Sequence, residues 1–350
     1  MERWGWRRSE VRAVRTTELP GVSVGVSSRH RVSRPGASPP GADGLAPAGS
    51  PEPSALGGLS ALTALADTPG ALAGRTVGYR LTQRFTYSYD GPVAGLDHQL
   101  VTVPPARHGD QVTRAHDLVV SAPAASLSWV RLPDGGRAAR VRLDEVGASL
   151  SFDTSADAVR IAGGPPPRLP ASALTGRRLL APTPLTAPDA TITAAARTLA
   201  GPDPLEAALR CSSWVHQRLA YRPGTTSVTT SAADALAGGV GVCQDHAHLM
   251  LALCRAAGIA ARYVSGHLVG ESQSHAWVEV IVPAPDPGTG GPGAMAVAVD
   301  PCHDRLTDRR YLTVAVGRDY TDVPPTSGCY RGSGRGTLVT RQRLEIVSVS

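Results

Sequence analysis

The chain has 350 residues, which is enough for two domains of ordinary size or for one domain with a long extension. Its formal net charge of +6 comes entirely from arginine, because the sequence contains no lysine. The arginines are scattered and aromatic residues make up only 4% of the chain, so nothing indicates the basic groove and stacking surface of a nucleic-acid-binding protein.

The cysteines and the hydropathy of the chain indicate in which cellular compartment the protein is expected. The five cysteines form no Cys-x-x-Cys pair, and their odd number argues against the disulfide framework of a secreted protein. No run of about 18 apolar residues indicates a membrane-spanning helix, and the arginine-rich start lacks the apolar segment of a signal peptide. We therefore expect a cytoplasmic protein without membrane association, whose cysteines stay reduced. The oligomeric state is left open.

Composition divides the first half of the chain. Residues 1–74 are rich in Pro, Gly, Ser, Ala and Arg and can bury too little apolar surface to offset the entropy of ordering, which predicts a disordered or low-complexity extension. Residues 75–160 contain short strand-like runs separated by turn signals such as Asp90-Gly91-Pro92, which predicts an antiparallel β domain, a sandwich. A Gly- and Pro-rich stretch at 163–167 then opens a predicted linker, residues 161–190.

In the last segment, residues 191–350, the pattern of apolar residues changes again. Apolar residues recur at helical spacing in 191–200 and 203–221, and strand-like runs follow at 260–269, 274–282, 295–300 and 343–349. Helices followed by an antiparallel sheet predict an α+β domain. The Pro- and Gly-rich residues 284–293 predict a flexible loop between two of its strands.

Three residues in this segment have the chemistry of a catalytic triad. Cys243 precedes a run of leucine and alanine that ends at Gly258, so it should begin a helix, where unpaired N–H groups and the helix dipole favour a thiolate. His275 lies on a predicted strand, and Asp300 ends the next strand. A nucleophile, a base and a carboxylate that orients the base are the parts of a triad.

The motifs around these residues resemble those of the transglutaminase-like superfamily. The resemblance is carried by four separated segments in the same order: Gly241-Val242-Cys243-Gln244-Asp245, Gly258-Ile259-Ala260-Ala261-Arg262-Tyr263, Ser274-His275-Ala276-Trp277-Val278-Glu279, and Val299-Asp300-Pro301. Residues 316–325 and the β region are similar to the bacterial branch of that superfamily.

The resemblance implies a papain-like catalytic domain behind a bacterial transglutaminase-like N-terminal β domain. It assigns Cys243 as nucleophile, His275 as base and Asp300 as the residue that orients it, with no cofactor and a peptide or protein substrate. Two departures concern the substrate pocket. The family usually has a tryptophan shortly before the aspartate, where this chain has Gly293-Ala294-Met295, and it tends to have small polar residues where this chain has Cys302-His303.

Several alternatives stay open at this stage. Trp277 shares a strand face with His275 and either contacts substrate or covers the core. His246 and His248 are expected to be polar helix residues, and the alternative is that they bind zinc. The sequence has no cluster of acidic residues with the spacing of a calcium site. The expected activity is hydrolysis of peptide or amide bonds through a thioester. Protein-glutamine cross-linking and a non-catalytic peptide-binding module are the alternatives.

Overall fold

The computed structural model describes residues 70–350. The extension predicted for residues 1–74 therefore lies outside the described residues, except for its last five. Those five form a turn in which Leu72 is buried. Among residues 70–350, no helix combines the length and the hydropathy needed to cross a bilayer.

A β sandwich occupies the first part of the described chain. Its strands are β1 (Val77–Tyr89), β2 (Val93–Leu100), β3 (Arg107–His108), β4 (Gln111–Val120), β5 (Ser126–Arg131), β6 (Arg137–Val146) and β7 (Ser149–Arg160). Polar and apolar residues alternate along β1, and its apolar side chains are the buried ones. One sheet contains β1, β3, β4 and β7, and the other contains β2, β5 and β6. Phe85 of β1, Phe152 of β7 and Val141 of β6 share one core cluster, so the two sheets pack face to face. The predicted antiparallel β domain is confirmed.

An α+β unit follows. Its helices are α1 (Arg177–Leu180), α2 (Ala190–Leu199), α3 (Pro204–Arg218), α4 (Ala232–Gly238) and α5 (Cys243–Ala256), and its strands are β8 (Arg168–Pro170), β9 (Ala220–Tyr221), β10 (Val240–Gly241), β11 (Ala261–Leu268), β12 (Ser274–Pro285), β13 (Pro292–Asp300), β14 (Arg305–Leu306) and β15 (Tyr311–Gly317). The main sheet has the order β14-β13-β12-β11-β15, and α5 packs across it with α2, α3 and α4 around it. Residues 244–255 of α5 are all buried, so α5 is the central helix of the unit.

The last two strands of the chain pair with the β domain and not with the α+β unit. We predicted that residues 191–350 form one catalytic domain, but β16 (Thr326–Arg331) pairs with β2, and β17 (Gly336–Val349) pairs with β1 along its whole length. Leu338, Leu344 and Ile346 of β17 are buried against the sandwich. The chain therefore returns to complete both sheets of the β domain, a long-range pairing that no local pattern reveals.

The predicted linker, residues 161–190, also contains structure. β8 extends the main sheet by pairing with β13, two 3-10 helices lie at Ala171–Leu174 and Pro184–Thr186, and Leu179 of α1 is buried. β8 pairs with Gly293 to Met295, and the flanking strands reach Pro285 and Pro292. The loop predicted over residues 284–293 is therefore limited to 286–291.

Buried polar contacts join the β domain to the main sheet of the α+β unit. Glu279 of β12 accepts hydrogen bonds from His108 Nε2 (2.6 Å) and Arg262 Nε (2.7 Å). Although burial opposes its ionisation, the charges of Arg262 and His108 lower the pKa of Glu279 to about 2. Gln111 of β4 also makes two bonds with the backbone of Thr313. These contacts fix the face of β12 that carries His275.

Gly266 provides space for the residues behind His275. A Cβ at this position of β11 would overlap the Leu312 carbonyl oxygen and the Trp277 ring. Because both neighbours are buried and cannot retreat, we expect Gly266→Ala to lower the free energy of unfolding by about 1–3 kcal/mol. Urea unfolding of the variant measures this, and Gly147→Ala is the control, since nothing lies within 4 Å of a Cβ at Gly147. An unchanged midpoint in Gly266→Ala would contradict the packing described.

Candidate active site

Cys243 is the first residue of α5, as the sequence predicts, and its side chain is partly exposed. Asp245 fixes this helix start, since its Oδ2 accepts hydrogen bonds from Val242 N (2.8 Å) and from Thr226 Oγ1 (2.6 Å). A Cβ on Gly241 would lie 2.7 Å from the Asp245 Cβ, so only glycine leaves room for this carboxyl. Asp245 is buried and burial raises its pKa, which makes it a cap of α5 and not a substrate contact.

His275 and Asp300 meet because β12 and β13 are neighbours in the sheet. The strands pair antiparallel with Val278 opposite Val299, which places the start of β12 beside the end of β13. His275 Nε2 lies 2.8 Å from Asp300 Oδ2, and Cys243 is among the neighbours that raise the pKa of the ring. Because Nε2 is hydrogen-bonded to Asp300, Nδ1 is the ring nitrogen that is free to exchange a proton with Cys243. The structure thus brings together the three residues that the sequence predicts as a triad.

Asp300 is completely buried and receives five hydrogen bonds. Its Oδ2 accepts from His275 Nε2, His303 Nδ1 (2.7 Å) and Tyr311 OH (2.7 Å), and its Oδ1 accepts from the backbone N–H groups of Cys302 (2.9 Å) and His303 (3.3 Å). Burial acts to raise the pKa of Asp300, but the hydrogen bonds from His275, His303 and Tyr311 outweigh it and hold that pKa below the usual range. Asp300 is therefore a carboxylate throughout the neutral pH range.

The pKa of His275 is shifted in the opposite direction. Burial of the ring acts to lower it, but hydrogen bonds to Asp300, Cys243 and Glu271 outweigh burial and raise the pKa of His275 far above the ordinary histidine value. His275 consequently retains its proton at neutral pH. An imidazolium next to a cysteine is the arrangement that stabilises a thiolate.

Comparison with known protein families identifies the family to which the chain belongs. Residues 192–291 match the transglutaminase-like superfamily model, and residues 79–158 match the bacterial transglutaminase-like N-terminal region. Uncharacterized proteins of Mycobacterium bovis and Mycobacterium tuberculosis are 31% identical over 302 residues, which represent 78% of this chain and 91% of theirs. The chain belongs to the transglutaminase-like superfamily. The family resemblance inferred from the motifs is thereby confirmed.

Two further similarities are partial. An uncharacterized protein of Mycobacterium leprae is 42% identical over 146 residues, which are 39% of this chain and 48% of that protein, so the match spans about half of that relative. The crystal structure of a candidate cysteine protease from Cytophaga hutchinsonii superposes with a TM-score of 0.57 and 20% identity, over 79% of this chain and 92% of that one. At this identity the similarity concerns the fold of the superfamily alone.

Of the two places that the sequence left open for Trp277, the structure shows the core and not the tentative substrate contact. Its side chain is 1% exposed, so it does not contact substrate. The ring stacks behind His275 at a centroid distance of 6.1 Å and meets Tyr311 edge-on at 5.3 Å. Trp277 is therefore a core residue that packs behind the imidazole ring of His275.

Four residues at the site were not identified from sequence as parts of it. Tyr311 begins β15 and donates to Asp300, while Arg305 Nε donates to the Tyr311 hydroxyl (2.9 Å). His303, 36% exposed, was noted only as a departure from the family pattern. Glu271 lies in the turn before β12, with Oε2 3.4 Å from His275 Nδ1. Glu271 and His303 are close to triad residues in sequence, which is the only signal that could have found them.

The two histidines of α5 are held by the backbone of the fold. His246 lies 2.9 Å from the Val242 carbonyl oxygen and 3.1 Å from that of Leu219, and His248 Nε2 accepts from Tyr320 N. Metal-ligand spacing occurs instead at His275, Asp300 and His303, whose ligand atoms lie within 4.8 Å of one another. Those atoms are already joined by hydrogen bonds of 2.7 and 2.8 Å, so metal binding would compete with the triad.

Proposed function

We propose that the protein is a cysteine-dependent acyl-transfer enzyme that hydrolyses peptide or amide bonds. The observation that supports this proposal is the hydrogen bond from His275 to the buried carboxylate of Asp300, with Cys243 close enough to His275 to raise its pKa. Each member lies in the environment its role requires: a thiol at a helix start, an imidazole of raised pKa and a carboxylate fixed by five donors.

In the proposed reaction the Cys243 thiolate attacks the carbonyl carbon of the scissile bond. The negative charge that develops on the carbonyl oxygen lies near the start of α5, where the first N–H groups have no partner within the helix. His275 gives its Nδ1 proton to the leaving nitrogen as the C–N bond breaks, and the acyl group remains on Cys243 as a thioester. Water then attacks the thioester while His275 takes up a proton, which regenerates the thiolate pair.

Hydrolysis is proposed over amine transfer because the site is open. Tyr221 near Cys243 is 58% exposed and Glu271 is partly exposed, so water reaches the thioester readily. Aminolysis requires a site that excludes water and holds an amine. A reducing compartment such as the cytoplasm suits this function, since it keeps Cys243 a free thiol.

A peptide library incubated with wild type, and in parallel with Cys243→Ala, tests the proposal. Mass spectrometry distinguishes the two outcomes of acyl transfer: new carboxyl termini indicate hydrolysis, and adducts with an added primary amine indicate cross-linking activity. We expect new carboxyl termini with wild type only. Products that persist in Cys243→Ala, or the absence of any product from wild type, would contradict the proposal.

A further inference from the structure

Glu271 is a charged side chain at the entrance of the site that the triad does not use. It lies in the turn between β11 and β12, where Glu271 N donates to Leu268 O (3.1 Å) and Gly270 adopts a φ of +93° that suits glycine. Its carboxylate Oε2 is 3.4 Å from His275 Nδ1, and 36% of the side chain is exposed. One face of this carboxylate therefore contacts the base and the other faces solvent.

The cation that Glu271 contacts in the free protein is His275. Tyr221 and Cys302 also have Glu271 within electrostatic range, and neither of these two side chains carries a positive charge. Only Oε2 of the carboxylate is paired with His275, so the carboxylate keeps acceptor capacity for a second cation.

The position of Glu271 also defines which part of a substrate it meets. In the proposed reaction His275 Nδ1 gives its proton to the leaving nitrogen, so the amine half of the scissile bond must pass beside Nδ1. Glu271 is next to that same nitrogen. Groups attached to the leaving nitrogen therefore come within reach of its carboxylate.

We propose that Glu271 is a specificity determinant that selects substrates with a positive charge on the amine half, such as a peptide with lysine or arginine directly after the scissile bond. This inference rests on the proposed acyl-transfer function. A bound cation would also draw the Glu271 carboxylate away from Nδ1–H and leave that proton to the departing nitrogen.

A matched pair of peptides tests this inference. The two peptides are identical except for lysine or norleucine directly after the scissile bond, so they differ in charge but little in shape. For wild type we expect kcat/KM to be about fivefold higher with lysine, the size of a partly exposed ion pair. The preference should decrease as salt rises from low to about 1 M, because salt screens exposed charges.

Glu271→Gln keeps the shape of the side chain and removes its charge. We expect the lysine-to-norleucine ratio of kcat/KM to fall toward one in this variant. Glu145→Gln is the matched control, because Glu145 is exposed on β6 of the sandwich and the ratio should be the wild-type one. Circular dichroism checks that both variants are folded.

The outcomes separate this inference from the proposed function. Equal cleavage of both peptides by wild type would overturn the role of Glu271 and leave the acyl-transfer function intact. An equal loss with both peptides in Glu271→Gln, with a shifted pH profile, would also overturn it, since Glu271 would then only stabilise imidazolium. If wild type cleaves neither peptide, protection of Cys243 from iodoacetamide by lysinamide and norleucinamide gives the same comparison. Equal protection by the two amides would overturn the inference.

Discussion

Cys243→Ala is expected to abolish turnover of any peptide or amide substrate. The variant lacks the atom that forms the thioester, and His275 cannot replace it because the ring is 3% exposed and hydrogen-bonded to Asp300. Loss of the nucleophile from a triad reduces kcat by about 10⁶ in a well-studied serine protease, and residual rates come from binding and oxyanion contacts. Initial rates on a cleaved library peptide measure the effect. Retained turnover in folded Cys243→Ala would remove the mechanism.

Alkylation provides a second measurement of the same residue. At mildly acidic pH, iodoacetamide should label Cys243 first, because the imidazolium of His275 stabilises its thiolate. The other cysteines are internal controls. Cys211 and Cys254 are fully buried, burial together with the nearby Cys243 and Asp300 raises the pKa of Cys302 to about 12, and Cys329 is exposed. Labelling of Cys329 as fast as Cys243 would show that Cys243 has no enhanced reactivity.

The sequence predicts the parts of the site that depend on local patterns. The helix start at Cys243 follows from the glycine before it and the leucine- and alanine-rich run after it, and the structure begins α5 at that residue. The meeting of His275 with Asp300 follows from two consecutive strands, because strands joined by a short loop pair side by side. The α+β class and the N-terminal β domain were predictable for the same reason.

The features that the sequence does not predict depend on contacts between distant segments. β17 pairs with β1 across more than two hundred residues of chain, and its alternation fits either domain equally well. Trp277 alternates onto the face of His275, but whether that face is open or covered depends on Tyr311 and on the β domain packed there. Tyr311 reaches Asp300 because Asp308 and Thr307 turn the chain back after β14, a geometry without a sequence signature.

Asp300→Asn is expected to reduce kcat by about 10²- to 10⁴-fold while the protein stays folded. The same change in a serine-protease triad reduces kcat by about 10⁴, because an amide favours the wrong tautomer and does not stabilise imidazolium. We expect the loss to lie toward the lower end of this range, because a protonated His275 beside Cys243 favours the thiolate before substrate binds. Asp300 also receives three donors on Oδ2 and two on Oδ1, and an amide nitrogen in place of either oxygen cannot accept the donors there, so we expect unfolding to become easier by about 1–3 kcal/mol.

The pH profile separates this catalytic role from a merely structural one. In wild type the hydrogen bond to Asp300 helps to raise the pKa of His275, so the alkaline limb of kcat/KM should lie well above pH 6.5, the ordinary histidine value. In Asp300→Asn that contribution is lost, His275 gives up its proton at lower pH, and the alkaline limb should move downward. Tyr311→Phe, which removes one donor to Asp300 without touching His275, is the control and should move it much less. A folded Asp300→Asn protein with wild-type turnover and an unchanged alkaline limb would exclude Asp300 from the triad.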